Sequence, residues 1–263
     1  MSTLEIRRPS PHVAEVWLNR PEVRNAFNDG VIGELTQAFR ALGAEPDLRA
    51  IVLAGHGKAF CAGADLSWMR AMADYSWAQN KADAAALAQM LWTVWSCPLP
   101  VVGRIQGDCY AGGVGLAAVC DVLVAAEGMH FCLSEAKLGL LPATIGPYVV
   151  RALGEQASRR YFVSAERFSA TEAKALGFVH EVVAADQLDA KVAEIVAALV
   201  ANGPAAVKAC KQLVKDVAGR AIDEVLRDDT ARRIADIRAS AEGKDGVQAF
   251  LNKREPAWRP PST

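Results

Sequence analysis

The 263-residue chain lacks the features that mark several large classes of protein. Its six cysteines, at 61, 97, 109, 120, 132 and 210, include no Cys-x-x-Cys pair, which argues against a zinc site or a disulfide framework. Their mostly apolar neighbours read as reduced core residues. The four histidines, His12, His56, His130 and His180, are scattered without ligand spacing, so no metal is expected. Basic and acidic residues nearly balance at a net charge of -1, and no basic stripe is present, so no nucleic-acid partner is expected. No apolar run approaches bilayer-spanning length, and the opening residues show no cationic stretch followed by an apolar one. A cytoplasmic protein without a membrane partner is the expectation. There is no repeat of fixed period, and only 20–25 and 256–263 are plainly loop-like.

What is present is apolar. Hydrophobic residues make up 52% of the chain, high for a soluble monomer, which points to apolar surface shared between subunits. Short β-branched runs at 12–18, 50–54, 101–106, 121–125, 130–134 and 178–183 read as strands. Helical patterns at 31–42, 77–95, 114–119 and 155–163 lie between them, and the alternation predicts an α/β core. From Asp186 onward the chain reads as helix after helix, punctuated at Gly203-Pro204 and Glu242-Gly243. The expected division is a core over 1–200 and a helical oligomerisation region over 201–263.

Two segments carry chemistry. Phe60-Cys61-Ala62-Gly63-Ala64-Asp65-Leu66 and Ala111-Gly112-Gly113-Val114-Gly115-Leu116 are small-residue turns that open helical patterns. Such turns present unpaired N–H groups at a helix N-terminus, where the dipole favours negative charge. Alone, a glycine pair often just lets a helix pack closely. Two such turns converging would make an oxyanion hole, which stabilises a carbonyl oxygen as it gains charge.

These segments, with Asn19-Arg20-Pro21 through Asn25-Ala26-Phe27, Ala118-Val119-Cys120-Asp121, Ala170-Thr171-Glu172-Ala173, Gly177-Phe178-Val179 and the terminal 250–258, strongly resemble the crotonase (enoyl-CoA hydratase/isomerase) superfamily over nearly the whole chain. The resemblance implies a repeated ββα spiral whose C-terminal helices build a trimer, often doubled into a hexamer. It implies an acyl-CoA thioester substrate and no cofactor beyond that CoA moiety. By position, the N–H groups of Ala64 and Gly112 would form the oxyanion hole. Arg24, Ala26, Ala62, Asp65 and Leu66 fall where similar proteins hold the adenine and pantetheine of CoA, largely through backbone. Lys253 could meet a CoA phosphate across a subunit boundary, or simply be solvated. Asp65 is expected to support its loop as an N-cap-like acceptor rather than to move protons.

Familiar hydratases of this superfamily use two glutamates. Aligned on the glycine turn and on Cys120-Asp121, the first falls at Gly115, which has no side chain, and the second at Glu135. Glu135 stands between apolar residues, where desolvation would raise its pKa toward the range useful for acid/base work; the alternative is a helix-start glutamate pairing with Lys137 or the dipole. Tyr110 and Tyr148 are further polar candidates, equally readable as packing. The run 140–151, with Pro142-Ala143-Thr144-Ile145 and Pro147-Tyr148-Val149, resembles bacterial methylglutaconyl-CoA and isohexenylglutaconyl-CoA hydratases, whose substrates carry a second carboxylate. Arg70, Arg104 and Arg151 are the cations considered for reading it. The expected activity is hydration of a 2-enoyl-CoA, with double-bond isomerisation by one glutamate or a non-catalytic acyl-CoA binder as alternatives. A dehalogenase-like reaction would need an aspartate near 144–147, and none stands there.

Overall fold

The structure, a computed structural model, describes residues 2–259, so the last four residues of the proline-rich 256–263 stretch lie outside the described residues. The chain opens with β1 (Leu4–Ser10), β2 (Val13–Leu18) and α1 (Asp29–Gly43). Two strands followed by helix then recur. β3 (Ala50–Gly55) and β4 (Ala59–Cys61) lead to α2 (Leu66–Ala73) and α3 (Trp77–Ser96). β5 (Val101–Ile105) and β6 (Asp108–Tyr110) lead to α4 (Gly112–Ala118). β7 (Val122–Ala126) and β8 (His130–Cys132) lead through a 3-10 turn at Glu135–Leu138 to α5 (Gly146–Leu153) and α6 (Glu155–Ser164). β9 (Arg167–Ser169), α7 (Ala170–Ala175) and β10 (Glu181–Val183) close the core. The helices α8 (Leu188–Ala201), α9 (Pro204–Val217), α10 (Glu224–Ala239) and α11 (Ala241–Leu251) follow.

β1 and β2 pair in one sheet, and in each of the three repeats from β3 to β8 the first strand joins that sheet and the second joins another. The large sheet runs β1-β2-β3-β5-β7-β10 and the small one β4-β6-β8-β9. Pairing is parallel from β2 to β10 and from β4 to β8. This is the expected ββα spiral. β3 reads Ala-Ile-Val-Leu-Ala-Gly because both its faces are covered. Ile51 and Leu53 join the main core with Phe27, Leu35, Phe60 and Phe131, while Ala50 and Val52 pack under Leu188, Val192 and Val196 of α8.

Several elements differ from the sequence reading. β4, β6 and β9 have three residues each, too short for a period-2 pattern to register. The strand expected over 178–183 begins at Glu181, because Phe178 and Val179 are drawn into a turn by bonds to the Ala173 carbonyl. Five cysteines lie in or against the core as free thiols, but Cys210 is exposed on α9 and does not fit the core reading. Among the described residues, no group of three or more His, Cys, Asp or Glu side chains is placed to hold a metal ion, and no single helix is long and apolar enough to cross a membrane.

Candidate active site

The site is built at the carboxyl ends of three adjacent parallel strands, the place where open α/β sheets present ligand sites. Cys61 of β4 lies opposite Cys109 of β6, and Tyr110 of β6 lies opposite Cys132 of β8. Ala64 is therefore three residues beyond the end of β4, Gly112 two beyond β6, and Glu135 three beyond β8. The register alone brings these three groups to one edge of the small sheet.

The two glycine turns meet. Gly63 has φ +86°, and a side chain there would press on Ala111 and on the Tyr110 carbonyl, each 3.0 Å from its Cβ. Only glycine meets both demands, and its absence of bulk lets the turns touch. Gly63 O accepts from Phe27 N at 2.6 Å, and Asp65 N donates to Phe27 O at 2.8 Å. Those bonds bracket Ala64 and leave its own N–H without an acceptor among the described residues. Gly112 is the first residue of α4, so its N–H also has no intrahelical partner. Just before it, Ala111 takes φ 46°, ψ -119°, a conformation alanine rarely adopts. The Ala111 N–H donates to Cys132 O at 2.8 Å, which ties this strained corner to the strand that delivers Glu135. Two free N–H groups at touching turns can together donate to one oxygen that carries growing negative charge.

Glu135 starts the 3-10 turn, and its Oε2 is buried with no hydrogen-bond partner. Burial pushes its carboxyl above the ordinary value of 4.5, as expected for acid/base work near neutral pH. Lys137 is exposed and forms no ion pair with Glu135 among the described residues, while Glu135 itself occupies the first turn of the 3-10 helix. Position 115 has no room for a second carboxylate: a Cβ there would lie 2.5 Å from Ile145 Cβ and nearer still to its Cγ2 methyl. Ile145 is buried just before α5, so the space is already filled by hydrocarbon.

A cleft of about 400 Å³ adjoins the first turn, lined by Arg24, Ala26, Ala62, Ala64, Asp65 and Leu66 among others. The expected CoA positions are thus together except Lys253, which follows α11 and does not line the cleft. Asp65 caps α2 through Ser67 N and lies in an ion pair with Arg20 at 2.8 Å. The Ser67 hydroxyl foremost, with the Ser67 N–H and Arg20, holds its carboxyl down at about 2, so it stays ionised and engaged. That matches a supporting role.

Other candidates lie elsewhere. Arg104 is tied to Asp189 and stacks over Trp17 beneath α8, so it is not free to read a substrate carboxylate. The Tyr110 hydroxyl is bonded to Asp108 beside Arg167. Tyr148 sits half-buried with its ring 6.1 Å from Trp95. Arg70 is exposed at the end of α2, and Arg151 lines a separate cleft with Lys211 and Lys215. The sequence assigned no individual role to Ala111, Ile145 or Phe27, although each lies inside a segment that carries the resemblance.

With this geometry in place, comparison with known proteins is consistent throughout. Residues 9–261 match the enoyl-CoA hydratase/isomerase family. A solved enoyl-CoA hydratase from Shewanella pealeana superposes with a TM-score of 0.94 at 39% identity, covering 97% of this chain and 96% of that one. AtuE of Pseudomonas aeruginosa gives a TM-score of 0.93 at 36% identity over 97% and 99% of the two chains. The mevalonyl-coenzyme A hydratase sidH of Aspergillus fumigatus is 33% identical over 96% of this chain and 93% of its own length. The chain belongs to the enoyl-CoA hydratase/isomerase family.

Proposed function

We propose that the protein adds water to the double bond of a 2-enoyl-CoA thioester. The observation that carries this reading is the buried, unpartnered carboxyl oxygen of Glu135 at the same strand ends as two free N–H groups. Glu135 takes a proton from water as the water oxygen bonds to C3. The electron pair moves onto the thioester oxygen, which the N–H groups of Ala64 and Gly112 receive. Glu135 then returns the proton to C2. Each oxyanion donor of this kind contributes about 2.7–4 kcal/mol to the transition state. Arg24, Ala26, Ala62, Asp65 and Leu66 line the CoA cleft, and Lys253 of a neighbouring subunit meets a CoA phosphate.

The substrate class we favour is 3-methylglutaconyl-like. The Pro142–Tyr148 run supports it, as does the relative named for mevalonyl-CoA, an acyl group branched at C3. With Arg104 tied to Asp189 and Arg151 in a separate cleft, Arg70 at the exposed end of α2 is the cation left to read a distal carboxylate. The C-terminal region leaves Ile222, in the link before α10, and Val225, Val247, Phe250 and Leu251 of α10 and α11 exposed, apolar surface that a homotrimer or a hexamer would cover. The division into a core over 1–200 and an oligomerisation region over 201–263 goes with that assembly.

The filled space at Gly115 favours one second reading, double-bond isomerisation, because a single carboxylate can move a proton without water. Offering 3-methylglutaconyl-CoA, crotonyl-CoA and a 3-enoyl-CoA separately, followed by mass spectrometry, separates the two. Gain of one water, lost in Glu135→Gln, is the expected result. Rearrangement without mass change makes the protein an isomerase. Hydration that survives in Glu135→Gln refutes the assignment of the acid/base group.

A further inference from the structure

We infer that Arg20 is the residue that aims the Ala64 N–H, acting as a positioning residue for the oxyanion hole; this rests on the reading of Ala64 as an oxyanion donor. A peptide unit is planar and trans, so its C=O and N–H point in opposite directions. The direction of the Ala64 N–H is therefore set by whatever holds the Gly63 carbonyl. That carbonyl accepts from Phe27 N at 2.6 Å. The aim of the donor thus depends on the position of the 24–27 segment relative to the Ala62–Asp65 turn.

Arg20 spans those two segments. One guanidinium nitrogen donates to Ala26 O at 2.7 Å and the other to Asp65 Oδ2 at 2.8 Å. Ala26 O belongs to the same peptide unit as the Phe27 N–H that holds Gly63 O, and Asp65 is the residue whose own N–H donates to Phe27 O. The guanidinium is a planar fork, so the spacing of the two acceptors is fixed by its geometry. The fork is itself anchored. Arg20 N donates to Asn25 Oδ1 at 2.9 Å, and the buried Asn25 amide donates to His56 O and Ala59 O at 2.8 and 3.0 Å. Asp65 is held by Ser67 N at 2.8 Å. The ion pair is nearly enclosed, with side-chain exposure of 18% for Arg20 and 7% for Asp65, where solvent screens it little. Arg24 and Asn25, both at φ 55°, form the left-handed corner that turns the segment back toward the Ala62 N–H, which bonds Arg24 O at 3.0 Å.

The test compares wild type with Arg20→Lys and Asp65→Asn. Lysine keeps the charge but offers one nitrogen, not a fork. Asparagine keeps the acceptor toward Ser67 while removing the charge that faces Arg20. Turnover is read on crotonyl-CoA. Carbonyl polarisation is read by difference infrared on bound hexanoyl-CoA carrying ¹³C at the thioester carbon. Wild type should shift the carbonyl stretch to lower frequency. Both variants should lose most of that shift and lose kcat by roughly 10²-fold, the scale of a 1 Å misplacement, with KM changed much less. Arg20→Lys should retain more of the shift than Arg20→Met. If wild type shifts the stretch and both variants shift it equally with unchanged kcat, Arg20 does not aim the donor. If wild type itself shows no shift, the reading of Ala64 and Gly112 as an oxyanion hole fails instead. A loss of folding confined to Arg20→Met leaves the two conservative variants to decide the matter.

Discussion

Gly115 is where this chain parts from the two-glutamate arrangement implied by its resemblance, and the structure predicts what a side chain there would do. An alanine Cβ would lie 2.5 Å from Ile145 Cβ, whereas carbon atoms settle at about 3.5–4.0 Å. Ile145 is 1% exposed and β-branched, so it has little rotamer freedom with which to give way. Overpacking of this kind costs about 1–3 kcal/mol, and the approach at Cβ puts it in the upper part of that range. Alanine for glycine in a helix returns about 1 kcal/mol. Gly115→Ala should therefore destabilise by roughly 1–2 kcal/mol, a fall in Tm of about 2–8 °C in calorimetry for a chain of this size. In an Ile145→Gly background, which removes both the Cβ and the Cγ2 methyl, leaves the Cα 3.6 Å away as the nearest atom of that residue, and alone costs at least the roughly 2–5 kcal/mol of an Ile→Ala change, the same substitution should stabilise, since its methyl enters vacated space. That reversal of sign is the signature. Should Gly115→Ala raise Tm in the wild-type background, or lower it equally in both, Ile145 is not what keeps position 115 glycine. The functional corollary is that Gly115→Glu adds a carboxylate with nowhere to lie and should lower hydration rather than improve it.

Further outcomes follow from Glu135, Gly112 and Asp65. Glu135→Gln should lower kcat on the hydrated substrate by roughly 10²- to 10⁴-fold. In wild type the acid limb of kcat/KM should lie above the ordinary glutamate value of 4.5, because burial raises this carboxyl and a base acts only above its own pKa. Gly112→Pro removes one N–H at a helix position that accepts proline, and should cost about 10²- to 10³-fold in kcat, although a Cβ there also presses on the Phe27 ring at 3.0 Å. Asp65→Ala removes the cap of α2 and leaves the Arg20 charge unpaired, a loss on the order of 3–5 kcal/mol in urea unfolding. Since the Asp65 carboxyl is held at about 2, below its ordinary 3.8, its contribution is complete above 3.8 and fades as pH falls toward 2. The stability gap between wild type and Asp65→Ala should narrow over that window, as the part owed to the ionised carboxylate is lost.

Much of the site was legible because its parts are local in sequence. The glycine turns, the cap at Asp65 and the isolated Glu135 each announce themselves within a few residues, since turn geometry, capping and unpaired burial are properties of short segments. The strands that position them were less visible. β4 and β6 have three residues each and are held by neighbours roughly twenty to fifty residues away, so nothing in their own composition separates them from loop. Arg104 shows the same limit in a side chain. As a residue type it suits a carboxylate, yet β5 turns it toward Trp17 and Asp189, which a list of cations does not reveal.

The least legible feature is the one the chemistry depends on most. An alanine at φ 46° is invisible in sequence, because its residue type argues for the opposite conformation. Such a conformation costs of order 1–3 kcal/mol and persists only where surrounding structure over-determines it. Here it is over-determined on both sides. The Ala111 N–H is taken by Cys132, and the next residues are committed to α4, whose Gly113 lies against the Cys61 carbonyl with no room for a side chain. The three strands that bring Ala64, Gly112 and Glu135 together are thus also the strands that hold Ala111 in its strained state. A relaxed corner would turn the Gly112 N–H away, because the peptide plane before Gly112 rotates with the ψ of Ala111. The stability of the small sheet and the aim of the second donor are accordingly one property: a substitution that loosens β6 from β8 should weaken carbonyl polarisation before it unfolds the protein.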